Sequence, residues 1–153
     1  MKGKDSEIVK CQMMIRKPIK EVFNAFIDPK ITTNFWFTKS SGKLEKGKTV
    51  KWKWEMYDAQ DEVKVLDINS NKKITILWGE PKSKVDFLFE ALNENQTLVK
   101  IVCYDFEHKG KDILATMLDY AGGFTTVLDG LKAYLEHNIE LNLIADKYPK
   151  KVK

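Results

Sequence analysis

The sequence of 153 residues is poor in the residue types on which many functional sites depend. It contains two cysteines, two histidines and one arginine. No stretch approaches the roughly 18 consecutive apolar residues that a membrane-spanning helix needs. The cysteines form no Cys-x-x-Cys pair and the histidines no pair at helical spacing, so no metal site is indicated. No glycine-rich phosphate loop follows a strand, so we expect no cofactor.

The scarcity of arginine also bears on nucleic-acid binding. The net charge is +4, from 26 lysine and arginine residues against 22 aspartate and glutamate residues. Acidic side chains are interleaved with the lysines, and Arg16 is the sole arginine, although arginine is the usual reader of guanine and phosphate. We therefore expect a lysine-coated surface and no nucleic-acid partner. The basic run 147–153 contains Pro149 and is predicted to be a flexible tail.

Recognisable catalytic motifs are missing as well. There is no Gly-x-Ser-x-Gly elbow, and neither cysteine has a base beside it in a known motif. Asp58, Asp61 and Glu62 fall at predicted strand ends and turns, where we expect them to be solvated. An acid–base pair formed across strands stays open, because one sequence does not show such pairing. The first residues carry no apolar signal-type stretch, which predicts a soluble cytoplasmic protein without membrane insertion and without a disulfide.

Alternation of apolar and polar residues is the strongest pattern that is present. In residues 49–57 the side chains of Val50, Trp52, Trp54 and Met56 point one way and those of the intervening residues the other. Similar runs bounded by turn residues predict an antiparallel meander of six or seven strands. The predicted strands span residues 7–17, 49–57, 61–69, 72–78, 84–92 and 97–106.

Helical periodicity occurs in two regions. Pro18 begins a short amphipathic helix that stops at Asp28, and Pro29 opens a second short helix reaching Trp36. The last third of the chain predicts a long C-terminal helix, which the Gly122-Gly123 pair either bends or delays. Its apolar positions are Ile113, Met117, Tyr120, Phe124, Val127, Leu128, Leu131, Leu135 and Ile139.

Three local segments carry a family resemblance: RKPIKEVFNAFIDP, the FW pair at 35–36, and GGFTTVLDGLKAYLEHN. Together with the element order they resemble the START-like (SRPBCC, helix-grip) superfamily, with the activator of heat-shock-protein-90 ATPase homologue family as the most similar branch. Phe124 departs from that branch, which often carries tryptophan there. The resemblance implies an α+β fold in which a curved antiparallel sheet wraps around the C-terminal helix, with residues 1–153 forming a single domain.

Members of the superfamily enclose apolar molecules between the sheet and the last helix. The resemblance therefore implies an internal cavity for a small hydrophobic or amphiphilic ligand, lined by large side chains. The alternative is that the same rings merely fill the core. The candidate ligand-binding residues are Trp36, Trp52, Trp54, Trp78, Phe87, Phe89, Met117, Tyr120 and Phe124.

Two other functions stay open at this point. The family name implies a protein that binds a chaperone or another large partner, which predicts an exposed patch in place of a cavity. An enzyme of cyclase, hydrolase or dehydratase type would use the same cavity with an inward titratable side chain, although no catalytic residue is indicated. The sequence does not choose between a monomer and a homodimer.

Overall fold

The computed structural model describes residues 7–79, 82–107 and 112–149. It consists of one seven-stranded antiparallel sheet in the order β1-β7-β6-β5-β4-β3-β2, with a long C-terminal helix against it. The predicted α+β, helix-grip architecture is confirmed. The strands are β1 Val9–Ile15, β2 Lys39–Ser40, β3 Thr49–Trp54, β4 Ala59–Asn69, β5 Lys73–Trp78, β6 Ser83–Asn93 and β7 Gln96–Tyr104. The helices are α1 Ile19–Ile27, α2 Pro29–Thr32, α3 Ile113–His137 and α4 Leu143–Lys147.

The inner face of the sheet follows the predicted alternation. Val85 and Phe87 of β6 are buried, as are Val99, Ile101 and Cys103 of β7. The register shifts between residues 65 and 67 of β4 and between residues 91 and 93 of β6. Such bulges increase the local twist. The sheet therefore presents one continuous apolar surface to α3.

The two short helices turn the chain from β1 into the core. Asp28 caps α2 by accepting a hydrogen bond from the backbone N–H of Lys30 at 3.0 Å. The Thr32 hydroxyl donates to the carbonyl oxygen of Ala25 at 2.6 Å and so fixes α2 against α1. The second helix ends at Thr32, four residues before the predicted end, which leaves Trp36 in the connection to β2.

The long helix α3 runs without a break from Ile113 to His137. The helix is not delayed to Gly122-Gly123, one of the two predicted effects of that pair, because packing of the apolar face outweighs the propensity cost of two glycines. Asp112 caps its start and Asn138, with φ 54°, ends it. None of the described helices has both the length and the apolar composition to cross a bilayer.

Two irregular segments differ from the prediction. Residues Glu55–Tyr57 form a 3₁₀ turn that ends at Asp58 (φ 51°), so Met56 does not continue the strand face of Trp52 and Trp54. The five-residue helix α4 contains Lys147, which was predicted to begin a flexible tail. Residues 150–153 of that predicted tail lie outside the described residues.

Candidate functional site

A cavity of about 290 Å³ lies between α3 and the β3–β5 part of the sheet, and it is open on one side. The short helix α4 and the 3₁₀ turn form the rest of its wall. Most of the lining is apolar and aromatic. The lining residues are Trp36, Trp54, Tyr57, Ala59, Asp61, Trp78, Asp119, Tyr120, Gly123, Phe124, Thr126, Val127, Ile144, Lys147 and Tyr148.

Rings at the ends of two strands form the aromatic wall. Trp54 is the last residue of β3 and Trp78 the last of β5, and their rings stack with centroids 6.2 Å apart and planes 23° apart. Trp36 meets Trp78 edge-on at 5.9 Å. From α3, Phe124 lies 5.6 Å from Trp78 and Tyr120 lies 5.8 Å from it. Trp78 is therefore the centre of the wall.

The wall opposite the sheet is fixed by two polar contacts to α4. The Tyr57 hydroxyl donates to the carbonyl oxygen of Ile144 and, at 3.3 Å, to that of Ala145. The Lys147 ammonium donates to the Thr126 hydroxyl at 2.9 Å. These contacts join the 3₁₀ turn, α3 and α4 around the opening.

Two carboxylates contribute to the lining from different elements. The Asp61 carboxylate of β4 accepts a hydrogen bond from the Trp78 indole N–H at 3.1 Å and is partly buried. This corrects the expectation that Asp61 is simply solvated. Asp119 of α3 lies at the exposed rim. The cavity thus combines apolar ring faces with two acidic groups.

Tyr120 is a partly buried titratable group of the lining. Burial raises the pKa of its hydroxyl, contact with Ser83 lowers it, and the negative charges of Asp61 and Asp119 raise it further. The Ser83 hydroxyl is itself buried and makes no hydrogen bond of normal length among the described residues. Because the pKa lies above its ordinary value, Tyr120 remains protonated at neutral pH and presents a hydroxyl donor.

The predicted ligand-binding residues divide into two groups. Trp52, Phe87 and Phe89 lie in the packed core, at 1%, 1% and 6% exposure, and do not line the cavity. Met117 is half-buried on α3, also outside the lining. Five predicted residues do line it: Trp36, Trp54, Trp78, Tyr120 and Phe124. A ligand role for any of them stays a prediction.

Some of the remaining lining residues lie on short elements without a strong sequence pattern. Tyr57 belongs to the 3₁₀ turn, and Ile144 and Lys147 to α4. Asp119 and Thr126 belong to α3, each one position away from an apolar residue that helical periodicity did identify. A helical projection of α3 is therefore the signal in the sequence that could have pointed to these two residues.

Metal-binding geometry is absent from the described part of the chain: no three His, Cys, Asp or Glu side chains are grouped closely enough to hold an ion. His137 is exposed in the last turn of α3. His108 lies outside the described residues. Cys11 and Cys103 are free thiols, and burial raises the pKa of Cys103.

A second depression of about 400 Å³ lies along the β2–β3 edge. It contains no aromatic side chain and three lysines, so it offers little apolar surface for a ligand. Its lining is Lys39, Ser40, Ser41, Thr49, Val50, Lys51, Lys53 and Glu62.

The chain is similar to a known protein family and to proteins of known structure. Residues 16–136 match the sequence profile described as Activator of Hsp90 ATPase homolog 1-like protein. A protein from Staphylococcus saprophyticus of known crystal structure is 30% identical, with 88% of this chain and 95% of that chain covered and a TM-score of 0.76. Among functionally curated proteins, none matches.

Two more distant structures share the fold. The Aha1 dimer from Colwellia psychrerythraea is 20% identical, with 85% of this chain and 96% of that chain covered and a TM-score of 0.71. DynU16, a protein in the dynemicin biosynthetic locus, is 15% identical, with 88% of this chain and 49% of that chain covered and a TM-score of 0.75.

Proposed function

We propose that this chain, which belongs to the Activator of Hsp90 ATPase homolog 1-like family, binds a small hydrophobic or amphiphilic molecule in the cavity between its sheet and α3. The observation that carries the proposal is the cavity wall. Seven aromatic residues surround a space of about 290 Å³ next to a core that is otherwise filled by rings in contact. Apolar space of this kind at a protein surface is typical of ligand sites.

The size and rigidity of the wall support a small ligand. The volume is close to the lower limit of about 300 Å³ for drug-sized pockets. Stacked rings such as Trp54 and Trp78 are large and stiff, and each already contacts other rings of the interior. A ligand that covers these rings removes apolar surface from water, at about 25 cal/mol per Å² before the costs of binding.

Native mass spectrometry of the freshly purified protein, followed by organic extraction, tests the proposal. We expect a bound mass, or binding of the uncharged fluorophore phenylnaphthylamine to the extracted protein. Gly123→Leu adds a side chain at a lining position where a Cβ meets no heavy atom within 4 Å. This variant is expected to lose both signals.

The control for this test is Ala115→Leu. It places the same side chain at an exposed position of the same helix, outside the lining, and should keep both signals. Absence of both signals in the unmodified protein, or equal binding by the Gly123→Leu variant, would count against the cavity as a binding site.

A second candidate function is partner binding, which an exposed apolar pair on α3 favours. Leu114 and Leu118 are 67% and 66% exposed and lie one turn apart on the same face. Isolated exposed leucines are common, but a pair on one face of a helix fits a contact with a second copy or a chaperone. If this function is right, two results should depend on Leu118. They are the change of sedimentation with protein concentration and the co-purification of a partner from the cytoplasm, which is the predicted location. A Leu118→Glu variant that leaves both unchanged refutes it.

A further inference from the structure

We propose that the lysine-rich edge formed by β2 and β3 binds an acidic, extended segment of a partner protein. The depression at this edge shares no lining residue with the aromatic cavity. The inference is therefore independent of the proposed ligand-binding function. Three features support it: the concentration of charge, the arrangement of the lysines on the strands, and the chemistry of the depression.

The net positive charge of the chain is concentrated at this edge. Residues 39–53 contain six lysines and one glutamate, a net charge of +5, whereas the whole chain carries +4. The rest of the chain is therefore close to neutral. Neighbouring charges reinforce one another here, because the Debye length is about 8 Å at physiological ionic strength. A negatively charged partner is consequently attracted to this edge and not to the surface as a whole.

The strand register places three of these lysines side by side. Lys39 of β2 lies directly opposite Lys53 of β3, and Lys51 lies two positions before Lys53 on the same strand. All three are exposed and line the same depression, while Trp52 between them is buried. None of the three forms an ion pair among the described contacts. Like charges directly opposite each other destabilise a sheet, so this arrangement favours an added anion.

The surrounding charges leave this excess in place. Lys48 extends the charged row, since its Nζ would lie 2.9 Å from a Cβ at Gly42, in the loop that follows β2. Glu62 is the acidic residue of the lining and lies opposite Lys51 on β4, but the described contacts include no ion pair between them. Lys46, by contrast, is paired with an aspartate of β4 at 3.3 Å. Positive charge therefore predominates along the edge.

The chemistry of the depression indicates the kind of anion. Most of its lining side chains are exposed, and a single exposed ion pair contributes little, so the partner needs several charges on one chain. Glutamates at alternate positions of an extended segment repeat about every 7 Å, as Lys51 and Lys53 do. The lining contains no arginine and no aromatic ring for base stacking. Residues 39–53 expose no large apolar side chain for insertion into a membrane. An acidic protein segment therefore fits this edge better than nucleic acid or lipid.

Fluorescence anisotropy with labelled probes tests the proposal. The probes are a short peptide of alternating glutamate and serine, the same peptide with glutamine in place of glutamate, and a single-stranded RNA oligonucleotide. Co-sedimentation with vesicles of phosphatidylcholine and phosphatidylserine measures lipid binding. We expect the acidic peptide to bind about tenfold more tightly than the glutamine peptide at about 0.1 M salt, and to lose this preference at about 1 M. Equal binding of the two peptides, no binding, or tighter binding of RNA or vesicles overturns the proposal.

Charge-neutral variants locate the binding surface. Lys39→Gln combined with Lys53→Gln should weaken binding of the acidic peptide about fivefold. Lys10→Gln combined with Lys100→Gln removes the same charge from β1 and β7, at the other end of the sheet, and should leave the affinity within about twofold. Equal losses from the two pairs would mean that overall charge is responsible, and would overturn the assignment.

Two further measurements separate binding from folding and from the cavity. The urea midpoint of the Lys39→Gln/Lys53→Gln variant should not fall, because the change removes like charges that face each other. A lower midpoint would show that the pair stabilises the fold, and would overturn the argument from opposed charges. Binding of phenylnaphthylamine should be the same in this variant as in the unmodified protein, and a loss would contradict the independence of the two surfaces.

Discussion

Two glycines of α3 provide a matched test of the space beside that helix. A Cβ at Gly123, which lines the cavity, would meet no heavy atom within 4 Å. A Cβ at Gly130 would lie 3.2 Å from the carbonyl oxygen of Phe35 and 3.3 Å from its Cβ. The same change to alanine therefore adds a methyl group to empty space at one position and to packed backbone at the other.

The expected effects differ in sign. Alanine is favoured over glycine in a helix interior by about 0.8–1.0 kcal/mol, so Gly123→Ala should raise the free energy of unfolding by about 1 kcal/mol. This corresponds to a rise in Tm of about 2–4 °C for a chain of this size. At Gly130 the same gain is opposed by overpacking, which typically costs about 1–3 kcal/mol. Because Phe35 is buried and the atom in contact is backbone, we expect a net loss of about 1 kcal/mol.

Urea titration followed by tryptophan fluorescence measures both variants, and an unchanged m-value shows that the two-state comparison is valid. The decisive quantity is the difference between the two variants, about 2 kcal/mol. If Gly123→Ala fails to stabilise the ligand-free protein, the protein's own side chains fill the space beside Gly123 in solution, and the reasoning about the cavity is refuted. If Gly130→Ala is as stable as Gly123→Ala, the close approach of Phe35 to α3 is refuted.

Other substitutions separate the packed core from the cavity and test the buried titratable groups. Trp52→Ala should lower the free energy of unfolding by about 3–5 kcal/mol, because its ring is buried and stacked. Trp54→Ala should lower the free energy of unfolding clearly less than Trp52→Ala does, and it should weaken the binding of phenylnaphthylamine. Equal losses of the two variants in urea titration would contradict this. Trp78→Phe keeps a ring but removes the indole N–H that donates to Asp61 of β4. We therefore expect the free energy of unfolding to fall by about 1.5 kcal/mol in urea titration. An unchanged midpoint would show that this hydrogen bond does not contribute to stability. Burial, and then its hydrogen-bonded partner Asp86, raises the pKa of Tyr104 from 10.0 to about 12. The folded state therefore keeps a proton that the unfolded state loses, and stability falls as pH rises through this window. Tyr104→Phe should make that fall smaller in urea titrations across the same pH range, and an identical fall would argue against the raised pKa.

The faces of the strands could be predicted because alternation encodes them directly. Trp52 and Trp54 point to the same side of β3, as the sequence indicates. Their different surroundings could not be predicted. Trp52 stacks on Phe37 at 4.5 Å in the core, whereas Trp54 is the last residue of the strand and lines the cavity. The difference depends on where β3 ends, and the 3₁₀ turn Glu55–Tyr57 follows directly on that end.

The helix α4 was missed for a related reason. Five residues are too few to show a helical period, and isolated helices of that length are not stable by themselves. The contact that holds it joins Tyr57 to Ile144, which are 87 positions apart in the sequence. Asn138 and Asn142 both adopt positive φ, at 54° and 57°. Asparagine tolerates this conformation, and the pair marks a reversal of the chain without indicating what the reversal packs against.

The proposed binding site therefore depends on the parts of the chain whose sequence signal is weakest. The sheet and α3 follow from periodicity, and relatives only 15–20% identical keep the same fold. The cavity wall is completed by a three-residue turn, a five-residue helix and the ends of β3 and β5. Changes in these segments alter the lining without disturbing the packed core around Trp52. The lining of the cavity can therefore differ between proteins that share this architecture, so the proposed ligand of this chain has to be inferred from its own lining residues.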